Sequence, residues 1–187
     1  MQTVALKITD AIRRNVSKFS ESDIRKINFG LQCILGELFK FTVFFIVFLI
    51  FSVAKYYLIA VGFYSFLRVL AGGYHADTFR GCFIISFLQF LSIVLAACYL
   101  SPKDVFIISI LLLSIVFAVL FSPVDHPNKP IVSPSRRKKM RYFSIGAFIG
   151  LSALSLILPE GLNIAAVMAI FFEAVSLPFG VLKKGGT

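Results

Sequence analysis

The residues best suited to chemistry lie in one polar stretch, Arg68 to Cys82, which reads RVLAGGYHADTFRGC. The stretch holds one of the two histidines and one of the three cysteines of the chain. A thiol beside an imidazole forms a nucleophile with its base, so His75 and Cys82 are the candidate catalytic pair. Asp77 is a candidate to orient the histidine, and Glu37 on another predicted helix is a competing candidate.

The spacing of this pair requires a break in the backbone. On a continuous helix, residues seven apart share nearly one face but lie about 10.5 Å apart along the axis, too far for direct proton transfer. Gly72, Gly73 and Gly81 allow conformations that other residues avoid. The sequence therefore predicts a turn that brings imidazole and thiol together. A helix that begins near Cys82 would also offer N–H groups to an oxyanion.

Other uses of these residues stay open. Cys33 is a second candidate nucleophile, because it also lies near the predicted inner membrane surface, whereas Cys98 is expected to be structural. Four residues could assemble a zinc site, namely His75, Asp77, Cys82 and His126. The chain lacks the HExxH and CxxC motifs of common zinc sites, so we expect neither a metal nor another cofactor.

The composition indicates a membrane protein. Of the 187 residues, 58% are hydrophobic and 22 are phenylalanines, and the mean hydropathy is +0.90. A soluble domain of this length could not bury so much apolar surface. The net charge of +10 is divided among short segments between apolar runs, which argues against nucleic acid as a partner. An odd number of cysteines argues against a disulfide framework.

Six apolar runs are each close to the length of about 20 residues with which a helix crosses the bilayer. The runs are Leu31–Val53, Tyr56–Ala71, Phe83–Leu100, Val105–Phe121, Phe143–Leu158 and Leu162–Leu182. The fold class predicted is all-α: a polytopic integral membrane protein with about six transmembrane helices. They form a domain over residues 30–187, which includes a basic cytosolic loop at 122–142.

Residues 1–29 are predicted to form a separate cytosolic segment. Val4, Ile8, Ile12 and Val16 repeat at helical spacing, which is typical of an amphipathic helix at a membrane interface. Such a helix could also be solvated or bind a partner peptide. Ser20 with a carboxylate three residues later resembles a capping box, which predicts a second helix start.

Lysine and arginine counts predict the orientation. With the N-terminus inside, the inner segments hold fifteen of these residues and the outer joints hold two, Lys55 and Lys103. Positive charge favours the cytosolic side, so both termini and the stretch from His75 to Cys82 are expected there.

Four ionisable residues fall within the predicted spans: Glu37, Lys40, Arg68 and Glu173. All lie within roughly 5 to 15 Å of the cytosolic helix ends, which predicts a polar chamber open to the cytosol. Glu37 and Lys40 are three apart and could neutralise each other. Glu173 is expected to pair with Lys40 or Arg68.

Several segments together resemble the accessory gene regulator protein B family of quorum-sensing membrane peptidases. The similar segments are FGLQCILGE, GGYHADTFRGC with Arg68 before it, SPVDHPNKPI with its basic run, and FEAVSLP. The resemblance covers nearly the whole chain, and its most specific part is the spacing of His75 and Cys82 after paired glycines. It implies that these two residues are catalytic and that Gly72, Gly73 and Arg68 are functional.

The resemblance also implies a function in the cell membrane of a Gram-positive bacterium. The substrate would be a precursor peptide of the accessory gene regulator D type, cut through a Cys82 acyl thioester so that an autoinducing thiolactone can close. Further candidate supporting or substrate-binding residues are Gln32, Glu37, Lys40, Asp77 and Glu173. A homodimer is expected. A small transporter or exporter and a lipid S-acyltransferase are the alternatives.

Overall fold

The computed structural model describes residues 2–15, 20–74, 76, 78–124 and 133–185. Over these ranges the chain forms seven α-helices and no strand, which confirms the predicted all-α fold. The helices are α1 (Gln2–Asn15), α2 (Glu21–Ile50), α3 (Ala54–Ala71), α4 (Phe79–Tyr99), α5 (Asp104–Phe121), α6 (Pro134–Leu156) and α7 (Leu162–Gly185).

Five of the described helices are long and apolar enough to cross a membrane, namely α2, α3, α4, α5 and α7. They correspond to five of the six predicted runs. The sixth run forms the apolar part of α6, whose first turns carry basic residues. Helix α6 packs against α3, α5 and α7 and so belongs to the bundle. The basic loop predicted at 122–142 is shorter than expected, because α6 already begins at Pro134, a residue favoured in the first turn of a helix.

The chain divides into two compact units, of which the first is Met1–Ile50. In this unit α1 packs against α2 through small residues: Ala5 and Thr9 are buried, and the Thr9 hydroxyl donates to the Ala5 carbonyl at 2.8 Å. Val4 and Ile8, two residues of the predicted apolar face, are 49% and 38% exposed. The amphipathic helix is therefore present, with much of its apolar face left open.

The predicted capping box at the start of α2 is confirmed. The Ser20 amide donates to Asp23 Oδ2 at 3.3 Å, and the Asp23 amide donates back to the Ser20 hydroxyl at 3.2 Å. These bonds satisfy groups that a helix start leaves without partners in the helix, which is why the chain turns into α2 at this point.

The second unit, Phe51–Thr187, is built around α7. Helix α7 packs against α3, α4, α5 and α6, and 56% of its apolar window is buried, against at most 28% for the other candidate spans. Its buried face is rich in alanine, including Ala165, Ala166, Ala169 and Ala174. Small residues allow helices to approach closely where no water drives them together. Helix α7 is therefore the central element against which the rest of this unit is positioned.

Candidate active site

The predicted break between α3 and α4 is confirmed. Helix α3 ends at Ala71, and Gly72 and Gly73 follow with φ angles of 77° and 133°. Side chains rarely tolerate such angles. Space is also lacking, because a Cβ on Gly72 would run into the Val124 carbonyl oxygen and one on Gly73 into the Arg68 guanidinium. Both glycines are therefore needed for the turn that leads toward residue 75.

Gly81 has a different role from the one predicted. It lies in the first turn of α4, where its amide donates to the Thr78 hydroxyl at 3.1 Å, so it does not break the chain. A Cβ on Gly81 would lie 3.0 Å from that hydroxyl oxygen and 3.5 Å from the Cβ of Ala76. The tight contact would be with the Thr78 hydroxyl, so the lack of a side chain makes room for the bond that caps the start of α4.

Cys82 lies in that first turn, half-buried, as the prediction of a helix start near it requires. Its amide donates to the Thr78 carbonyl at 3.0 Å, which fixes the backbone that carries the thiol. No disulfide joins Cys33, Cys82 and Cys98, all of which lie in the described residues. Cys33 is exposed on α2, and Cys98 is exposed near the far end of α4.

His75, Asp77 and His126 lie outside the described residues. The pairing of imidazole and thiol, the orienting role of Asp77 and the alternative zinc site therefore stay predictions. What the structure describes is the immediate frame, with Tyr74 on one side of residue 75 and Ala76 on the other. In the described part of the chain, no group of three histidine, cysteine or acidic residues could hold a metal ion.

Arg68 is the centre of a buried polar cluster at the end of α3. Its Nη1 atom donates to Glu173 Oε2 at 3.2 Å and to the Ser176 hydroxyl at 2.8 Å, both on α7. The same nitrogen donates to the Gly72 carbonyl at 3.4 Å, and Nη2 donates to the Tyr74 carbonyl. The sequence predicted Lys40 or Arg68 as the partner of Glu173, and the structure shows that the partner is Arg68.

Other groups complete this cluster. The Arg68 guanidinium lies over the Tyr64 ring, 5.7 Å from its centre, and interacts electrostatically with Cys82. The Tyr64 side chain interacts in turn with Gln89 and Glu173. The cluster thus places a permanent positive charge within electrostatic range of the thiol.

The carbonyl groups at the end of α3 receive donors from several elements. The Leu70 carbonyl accepts from the Ser144 hydroxyl of α6 at 2.8 Å, and the Ala71 carbonyl accepts from the Val124 amide at 2.8 Å. The last carbonyls of a helix have no partner within it, so each such bond satisfies an otherwise open acceptor. Two distant parts of the chain therefore hold the point where α3 turns into the candidate site.

The remaining candidates lie on α2. Lys40 Nζ is 2.5 Å from Glu37 Oε1, as the spacing of three predicted. Lys40 is buried, whereas Glu37 is exposed. Gln32 is half-buried on the same helix. All three belong to the first unit, and their contribution to the site stays a prediction.

Apolar helices, with a charged cluster between α3 and α7 and a thiol at a helix start, define the class: a polytopic membrane protein. The model of the family described as accessory gene regulator B matches residues 5–177. The chain therefore belongs to this family, which supports the quorum-sensing role implied by the sequence resemblance.

Relatives of similar length agree with this membership. A putative AgrB-like protein of Clostridium beijerinckii is 28% identical over 166 residues, which cover 88% of this chain and 82% of that protein. The accessory gene regulator protein B of Staphylococcus lugdunensis is 28% identical over 152 residues, covering 81% of this chain and 80% of the relative. That of Staphylococcus aureus strain JH9 is 25% identical over 153 residues, 81% of each chain. No solved structure matches significantly.

Proposed function

We propose that this protein is a membrane cysteine endopeptidase that processes a quorum-sensing precursor peptide, with Cys82 as nucleophile and His75 as base. The observation that carries the proposal is the position of Cys82 in the first turn of α4, directly after a chain reversal that requires Gly72 and Gly73. Family membership supports the same assignment.

The chemistry follows from these two groups. His75 takes the thiol proton, and the sulfur of Cys82 attacks the carbonyl at the C-terminal edge of the signal segment. The peptide bond breaks, the proton passes to the leaving amine, and the signal segment stays on Cys82 as a thioester. A cysteine thiol within the precursor then attacks this thioester, which closes a thiolactone and returns Cys82 as a thiol.

The second step exchanges one thioester for another, so its main requirement is that water does not reach the acyl group first. A site sunk among membrane helices meets this requirement by limiting water. The distribution of fifteen inner against two outer lysines and arginines favours a cytosolic site in the cell membrane, with both termini on the same side. The partner is a precursor of the accessory gene regulator D type, and the enzyme acts as a homodimer.

Coexpression with the precursor peptide tests the proposal. Mass spectrometry of the cells should show a truncated precursor with the unmodified chain and none with Cys82→Ala or His75→Ala. Cys98→Ala is the matched control, because it removes a thiol from the same helix far from the turn, and it should process normally. Processing that survives Cys82→Ala but is lost with Cys33→Ala would move the nucleophile to α2. Intact precursor that is merely exported would favour a transporter.

A further inference from the structure

One face of α7 contacts the turn that leads to His75, and nothing in the proposed chemistry uses it. Glu173, Ser176 and Gly180 stand at spacings of three and seven, which places them on one side of a helix. The Ser176 carbonyl accepts from the Tyr74 amide at 3.2 Å. A Cβ on Gly180 would lie 2.9 Å from the carbonyl carbon of Gly73, so α7 passes directly against the turn.

The side chains of this face hold the turn through Arg68. The Ser176 hydroxyl and the Glu173 carboxylate accept from one nitrogen of the guanidinium, and the carboxylate also accepts from the Ser176 hydroxyl at 3.3 Å. Both guanidinium nitrogens in turn donate to carbonyls of the turn, at Gly72 and Tyr74. Tyr74 is therefore fixed at its amide by α7 directly and at its carbonyl by α7 through Arg68.

We propose that Ser176 and Glu173 are positioning residues for the reaction. They fix Tyr74, the residue that precedes His75, and so set the distance from imidazole to thiol. This inference rests on the proposed function. Displacement of a reacting group by about 1 Å can cost a hundredfold in rate, so a modest loosening of Tyr74 should be measurable in turnover.

Ser176→Ala is the most direct test, since it removes one hydroxyl and leaves Arg68 its bond to Glu173. In the full chain in detergent micelles, with precursor peptide as substrate, we expect kcat to fall about tenfold and KM to change less than twofold. Ser114→Ala is the matched control. Ser114 is fully buried in the second unit, and its hydroxyl donates along its own helix, to the Ile110 carbonyl at 2.8 Å.

Ser176→Thr, which keeps the hydroxyl, should recover at least half of the lost kcat. The inference would be overturned if kcat fell no more in Ser176→Ala than in Ser114→Ala. It would also be overturned if kcat fell equally in Ser176→Thr and Ser176→Ala.

Alkylation of Cys82 gives a second measurement that does not depend on substrate. In a Cys33→Ala/Cys98→Ala chain, the rate with iodoacetamide at pH 7 reports the access of the thiol to its base. We expect His75→Ala to slow alkylation most, Ser176→Ala to slow it severalfold and Ser114→Ala to leave it unchanged. Equal rates in the Ser176→Ala and Ser114→Ala chains would contradict the positioning role.

The two proposals fail in different ways. If the peptidase assignment is wrong, the unmodified chain will leave the precursor intact, and if only the nucleophile is wrong, Cys82→Ala will still process it. If only the positioning role is wrong, Cys82→Ala and His75→Ala will abolish processing as expected, while Ser176→Ala will behave like Ser114→Ala.

Discussion

Two ion pairs of this protein join charged residues of the predicted membrane spans but differ in what they hold in place. Lys40 and Glu37 are neighbours on one turn of α2, at 2.5 Å, and the Glu37 side chain is 66% exposed. Arg68 and Glu173 are 105 residues apart, at 3.2 Å, and their side chains are 17% and 0% exposed. The first pair therefore joins a helix to itself, whereas the second joins two helices.

The comparison indicates that the structural effect of a charged residue in a membrane helix depends on its partners beyond the ion pair. The Arg68 guanidinium donates to a carboxylate, a hydroxyl and two backbone carbonyls. The compact ammonium group of a lysine could not reach all four acceptors together. Lys40 in the first pair donates to Glu37, a neighbour on its own helix. Substitutions in the two pairs and in the groups around them test this contrast.

Arg68→Ala should have the largest effect. It leaves the fully buried Glu173 carboxylate without its cation and opens the carbonyls of the turn, and breaking a buried pair from one side costs about 3 to 5 kcal/mol. The free energy of unfolding in mixed micelles measures this cost, and processing should be lost. Lys40→Ala is the comparison, and an equal or larger destabilisation from it would remove the contrast between the pairs.

Gly73→Ala should follow, with a cost of about 1 to 3 kcal/mol, because alanine would have to adopt a φ near 133°. The new methyl group would also displace the Arg68 guanidinium. Gly146→Ala in α6 makes the same change where the space is open, and it should stabilise by about 0.5 to 1 kcal/mol through helix propensity. Thermal unfolding of both variants checks the opposite signs, and a destabilised Gly146→Ala would show that added methyl groups are harmful in general.

Ser144→Ala should cost about 1 kcal/mol, since it removes the donor to the Leu70 carbonyl and leaves that acceptor unsatisfied. Ser109→Ala is its control, because that hydroxyl donates within its own helix, to the Val105 carbonyl at 2.7 Å, and is exposed. Unfolding by denaturant compares the two. Equal values would mean that the bond from α6 contributes nothing to the end of α3.

Glu37→Gln should have the smallest effect, less than about 0.5 kcal/mol, because the Glu37 side chain is 66% exposed and a pair within one helix turn contributes little. The same unfolding measurement applies. A loss above about 2 kcal/mol would show that this pair supports more than its own helix.

The apolar helices were predictable because a bilayer demands runs of one length and one character. The start of α6 was not predictable, since the basic residues after Pro134 have the composition of a loop, although they form the first turns of the helix. Gly81 was misjudged for a similar reason: glycine permits a break, but it also permits close packing within a helix.

The chemistry of the candidate site was only partly visible. The polar stretch and its reversal could be predicted from glycines beside a histidine and a cysteine. The choice between Lys40 and Arg68 as partner of Glu173 could not, because it depends on α3 packing against α7. Ser176 and Gly180 were overlooked, although their spacing from Glu173 would have marked one face of α7.

Val124 determines where the chain tolerates a change of length. It is buried, its amide is held by Ala71, and its carbonyl and side chain fill the spaces left by Gly72 and Gly180. Extra residues inserted before Val124 would move it away from Gly72 and Gly180, and the turn after α3 would lose these contacts. Residues inserted after Val124 would leave its contacts in place, so an epitope tag should be inserted after this residue.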